Sequence, residues 1–242
     1  MTMATTINKQ RLLTHLFTAA RKAGEAAPEG DDPRSVLQEF VYALCRQGAT
    51  RDKADRAFHN LCERFFDWNE VRVSSHRELE EALAGLPDAA GRAERLLSFL
   101  REVFETEFSY DLDKQLLKKG LKLAAKQLAS YEASDDYACA WVIQRSLGGH
   151  AIPLDAPTLR CARRLGLLDS GCDDAEAARA SLEHLVPKAK GAHFTEVVTC
   201  LAGKYCSEED PHCPACPMAG ECAYAQEMGV EVAAVGRRPK PR

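Results

Sequence analysis

Three things are scarce in these 242 residues: long apolar runs, strand-like alternation and surplus positive charge. No apolar run reaches the roughly 18 residues of a spanning helix, so no membrane segment is expected. Period-two alternation is almost absent, which leaves a sheet without candidate strands. Lysine and arginine total 32 against 36 aspartates and glutamates, a net charge of −4. That balance lacks the basic excess of most nucleic-acid binders. The first twenty residues carry Lys9, Arg11 and His15 in an amphipathic pattern, without the apolar centre and cleavage site of a secretory signal. A cytoplasmic, reducing compartment is therefore expected. No internal repeat is found.

What is present is helical period, nearly everywhere. Val36, Leu37, Phe40, Val41 and Leu44 form one apolar face, entered through Asp32-Pro33, a capping residue with proline at the first helical position. Ala54, Ala57, Phe58, Leu61 and Phe65 form the next, and Leu96, Leu97, Leu100, Val103 and Phe104 another. Leu117, Leu121, Ala124, Ala125 and Leu128 predict one helix carrying Lys118, Lys122 and Lys126 on a single face, with Lys114 a turn earlier. Further helices are predicted near 135–147, 156–165, 174–185 and 191–204, with Trp141 on a core face. Leu12, Leu13, Leu16, Phe17 and Ala20 place one at the N-terminus, set apart by the acidic stretch 24–33. The whole reads as an all-α protein of about ten helices, closed by a basic, proline-bearing tail at 237–242 read as disordered.

Ten cysteines are present. Six of them (Cys45, Cys62, Cys139, Cys161, Cys172 and Cys200) are scattered, most within apolar helical patterns, where a free thiol behaves as a small hydrophobe. The other four form Cys206-x6-Cys213-x2-Cys216-x5-Cys222. Thiols so spaced in a reducing cell call for a soft metal: zinc or an iron–sulfur cluster. A zinc ribbon uses two separated Cys-x2-Cys pairs. Here there is one, inside a single compact loop, which favours the cluster.

This spacing, at the end of an all-helical chain, resembles the 4Fe-4S loop of the endonuclease III family of DNA glycosylases. Gly149 to Gly166 resembles the family segment holding its essential aspartate, with Asp155 and Arg160 matching the pattern. Gln47-Gly-Ala-Thr50 resembles the Gln-Ala-Thr turn whose glutamine fills the gap left by an extruded base, and Gly85-Leu86 followed by Ala93 a further family stretch. The similarity spans roughly residues 34–222. It implies a two-lobed helix-hairpin-helix glycosylase fold: a six-helix barrel domain over 34–148, a discontinuous iron–sulfur domain over 1–33 and 149–226, and a tail from 227 to 242. It further implies a 4Fe-4S cluster on Cys206, Cys213, Cys216 and Cys222, Asp155 as the catalytic carboxylate, double-stranded DNA as partner, and a monomer.

The hairpin falls at 130–139, and Tyr137 stands where bifunctional relatives carry the Schiff-base lysine. Tyrosine forms no imine, which implies a monofunctional glycosylase using water, with Asp155 and Tyr137 at the catalytic positions. The hairpin glycines are replaced by Ala133 and Asp135, with Glu132 and Asp136 beside them, and Ser207-Glu-Glu-Asp210 occupies the usually basic part of the cysteine loop. Ser134 is expected to cap the following helix, with both aspartates favouring its first turn; Asp155 is expected to cap 156–165. Gln47, Lys118, Lys122, Lys126 and Arg160 are the candidate DNA contacts. Two readings follow: a base-excision glycosylase, or a non-catalytic iron–sulfur helical module that has lost or rebuilt its DNA surface and binds a protein partner or senses redox state.

Overall fold

The computed structural model describes residues 8–24, 33–169, 172 and 174–230. The tail at 237–242 and most of the acidic stretch 24–33 lie outside the described residues. Among the described residues the regular structure is helical throughout, with no strand. In chain order the α-helices are α1 (Lys9–Lys22), α2 (Val36–Arg46), α3 (Arg51–Arg64), α4 (Trp68–Val73), α5 (His76–Ala82), α6 (Ala89–Glu107) and α7 (Leu112–Leu116). They continue with α8 (Leu121–Ser130), α9 (Asp136–Arg145), α10 (Ala156–Leu165), α11 (Ala175–Leu185), α12 (Gly191–Lys204) and α13 (Ala223–Glu227).

Three local expectations are corrected. The entrance to α2 is not Asp32-Pro33: Ser35 caps it, accepting from the Gln38 N–H while the Gln38 side chain accepts from the Ser35 N–H. The lysine-bearing stretch is not one helix. It breaks between α7 and α8, where Gly120 takes the N-cap place. Lys118 therefore sits in the turn, and only Lys122 and Lys126 share a helix. At the hairpin, Asp135 rather than Ser134 caps α9, its Oδ1 accepting from the Ala138 N–H at 2.8 Å.

Buried apolar side chains form two clusters. The first is built entirely from residues between Val36 and Val142. Its centre is the stacked pair Phe40–Phe99, 3.8 Å between ring centroids, with Trp141 fully buried and its indole N–H donating to Glu39 at 2.7 Å. The second joins Leu12, Leu13 and Leu16 of α1 to the inner faces of α10 and α12 and to Cys222 and Ala225 near the C-terminus. The chain thus starts in the second core, builds the first, and returns. Helix α9 packs on α2 and also touches α12, so the end of α2, the length of α9 and the start of α10 meet where the cores adjoin.

Candidate functional site

Asp155 lies at this meeting point, 8% exposed. Its Oδ1 accepts from the Thr158 N–H at 2.9 Å, completing the expected cap on α10, and from the Thr158 hydroxyl at 2.6 Å. Its Oδ2 faces the other core and accepts from the Gly48 N–H at 2.7 Å. That donor is presented by the turn after α2, where Gly48 has φ +67°, a left-handed conformation that glycine enters without steric cost. Arg92 of α6 holds the same turn, donating to the carbonyls of Leu44 and Gln47.

Beside it is a buried ionic cluster that no local pattern predicts. Glu196 of α12 is 7% exposed. Its Oε1 meets Arg145 at 2.5 Å, and its Oε2 meets Arg46 at 3.3 Å and Arg51 at 3.9 Å. Arg46 is 1% exposed and also donates to the Ala49 carbonyl. These pairs link residues up to 150 positions apart, with no local signature. Tyr137 belongs to the same buried neighbourhood: 2% exposed, stacked on Trp141 with centroids 6.1 Å apart. Its hydroxyl is buried without a hydrogen-bond partner, as are the Nε atoms of Arg46 and Arg145. Burial pushes the Tyr137 phenol well above its ordinary range; Arg46 opposes the shift, while Asp155 and Glu196 add to it.

Gln47 is half-buried. Its Nε2 donates to Asp135 Oδ2 at 2.9 Å, and its Oε1 accepts from Arg95 at 3.0 Å. Arg95 closes the network by donating to Asp135 at 2.8 Å and to the Ala133 carbonyl at 3.0 Å. The glutamine turn is thereby tied to the hairpin. No residue of the hairpin, 130–139, has a positive φ, so its shape requires no glycine. Glu132 and Asp136 are exposed, and Asp136 has Arg179 at 3.6 Å. Lys118, Lys122 and Lys126 are exposed, outside this network.

Arg160 and Arg164 face the cysteine loop. Arg160 donates to the Cys206 carbonyl through Nε at 3.1 Å and Nη2 at 3.0 Å. Arg164 reaches the Cys206 sulfur at 3.6 Å, the Ser207 carbonyl at 2.5 Å and the Glu208 carbonyl at 2.8 Å. Cys206, Cys213, Cys216 and Cys222 all line one small pocket of about 20 Å³, walled by Leu165 and Leu201. Cys161 lines it too. A hydrogen bond from Cys161, with Arg164 and Arg160, holds the Cys206 thiol down to about 6, against the effect of burial. Among the described residues no three His, Cys, Asp or Glu side chains converge closely enough to hold a single metal ion.

The sequence matches no protein-family model, and no curated protein matches it. Its structure does match solved ones. Endonuclease III trapped in a covalent intermediate with DNA aligns with TM-score 0.69 at 16% identity, over 93% of this chain and 100% of that one. A non-covalent endonuclease III–DNA complex gives 0.70 at 15%, with the same coverage. A thermostable thymine-DNA glycosylase gives 0.62 at 18%, over 92% of this chain and 99% of that one. The chain therefore has the all-α fold of endonuclease III and other helix-hairpin-helix DNA glycosylases, as its motifs implied.

Proposed function

We propose that this chain is a monofunctional DNA glycosylase of base-excision repair, hydrolysing the N-glycosidic bond of a damaged or mismatched base. The observation that carries the reading is the Asp155 carboxylate, fixed at the junction of the cores between the start of α10 and the Gln47–Gly48 turn. As the bond to an extruded base breaks, positive charge develops on the sugar. A carboxylate already oriented by three hydrogen bonds, in a poorly solvated site, can stabilise that charge and hold an attacking water without reorganising. Neither carboxylate nor phenol forms an imine, so strand scission is left to added alkali. Gln47 would fill the vacated stack on release from Asp135 and Arg95, and Lys118, Lys122 and Lys126 would contact phosphate in place of the acidic hairpin.

The four loop cysteines suit a 4Fe-4S cluster better than zinc. Zinc ribbons use two separated Cys-x2-Cys pairs, whereas these four lie in one compact loop with a single such pair and line one apolar pocket. When bound, such a cluster supplies a cross-link for the loop and an electron-transfer centre. Arg160 and Arg164 serve that loop by pinning residues 206–208 to α10.

A second reading, a non-catalytic module on the same fold, has one observation in its favour. Both Asp155 oxygens, Gln47 and the hairpin carboxylate Asp135 are bonded to one another's elements instead of being presented outward. Single-turnover assays on duplexes carrying oxidised pyrimidines, uracil or thymine mismatches, and alkylated bases separate the two. Alkali-dependent breaks that disappear in Asp155→Asn are expected. No breaks at concentrations that saturate DNA binding would leave the second reading standing.

A further inference from the structure

Five thiols, not four, line the cysteine cavity. Cys161 is 2% exposed and projects from α10 into the pocket that Cys206 also lines. The two residues differ in what supports them. Cys161 lies inside a capped helix packed in the second core. Cys206 is half-buried in the segment beyond α12, seven residues before the next cysteine. The guanidinium of Arg164, 3.6 Å from its sulfur, offers the Cys206 thiolate an alternative to metal. The other three thiols fall within ten consecutive residues, and Cys45, the other scattered buried cysteine, belongs to the first core.

Building on the iron–sulfur reading, we infer that Cys161 and Cys206 are interchangeable ligands for one corner of the cluster. The exchange is a proton-coupled ligand swap with no change of oxidation state. The Cys161 sulfur gives its proton to the Cys206 sulfur, the bond from iron to Cys206 breaks and a bond from iron to Cys161 forms. With Cys206 bound, Cys161 remains a donor to a ligand sulfur, which raises a cluster's reduction potential.

The test is anaerobic reconstitution of the full chain with iron and sulfide. Iron and acid-labile sulfide would be counted in wild type, Cys161→Ala, Cys206→Ala, Cys206→Ser, the Cys161→Ala/Cys206→Ala double variant and Cys216→Ala, with helix content checked by circular dichroism. Each of the single variants at 161 and 206 is expected to keep the wild-type complement, while the double variant and Cys216→Ala lose most of it. Cys161→Ala should also lower the reduction potential and alter the reduced cluster's paramagnetic resonance spectrum. Loss of iron from Cys161→Ala, or from a folded Cys206 variant to the Cys216→Ala level, overturns the inference, as does a double variant that stays loaded. Should both Cys206 variants fail to fold, an unchanged potential and spectrum in Cys161→Ala overturn it. A wild-type chain that takes up neither iron nor sulfide sinks the cluster reading itself.

Discussion

Where the two cores meet, one carboxylate, Glu196, has three arginines about it; at the hairpin, of the two exposed carboxylates Glu132 and Asp136, the latter has Arg179 at 3.6 Å. Five arginines lie between elements. Arg46 and Arg145 join α2 and α9 to α12, Arg95 joins α6 to the hairpin, and Arg160 and Arg164 join α10 to the cysteine loop. The comparison teaches that these five arginines bind one element to another, while the surface that a DNA-gripping hairpin would offer carries the opposite sign.

The strongest way to break that comparison is to take away the anion at its centre. Glu196→Ala leaves buried guanidiniums uncompensated, and should cost about 3–5 kcal/mol in urea unfolding. Next is reversal at the tip. Glu132→Lys with Asp136→Lys spares the Asp135 cap on α9 and should raise duplex affinity about tenfold at low salt, steepening the log–log salt dependence by about 0.9 per phosphate gained. An unchanged slope would place the DNA surface elsewhere. Gly48→Ala has open space for its methyl, the nearest atom being Arg92 Nη2 at 3.9 Å, so its cost is that of a left-handed residue, about 1–2 kcal/mol. It should also loosen the N–H that Asp155 accepts.

The smallest effect expected at neutral pH is that of Tyr137→Phe, which deletes a buried hydroxyl that has no partner and should stabilise the protein by up to about 1 kcal/mol. The pH dependence sharpens it. The folded phenol titrates above its ordinary value of 10.0, so its favourable contribution is complete below that pH and is lost as pH rises beyond it. Phenylalanine has nothing to lose there, and the variant's advantage in a thermal melt should widen above pH 10.

Helices α10 and α12 could be read at their true limits because local chemistry marks them: the Asp155 cap with Pro157 in the first turn, and a long apolar pattern running into the cysteines. The entrance to α2 differs from the Asp32-Pro33 reading because Ser35 and Gln38 supply a capping box three residues further on. At the hairpin, Ser134 and Asp135 are both good caps, and one residue of register decided between them. The lysine stripe failed at Gly120, a residue that apolar periodicity passes over. For the site, Asp155, Tyr137 and Gln47 could be named from motif order. Arg92, Arg95, Arg145 and Glu196 could not, since isolated charged residues in helices have no spacing that betrays partners 40 to 51 positions away.

The path of the chain also sets an order of events during synthesis. Leu12, Leu13 and Leu16 of α1 find their cover in α12 and its neighbours, and Gln10 bonds to the carbonyl of Leu185, 175 residues later. At ordinary translation rates that separation takes about 10–35 s. Throughout that interval the first core can close while an apolar helix waits beside it uncovered. A ribosome stalled before residue 191 would carry the first core with the apolar face of α1 still lacking its cover from α12.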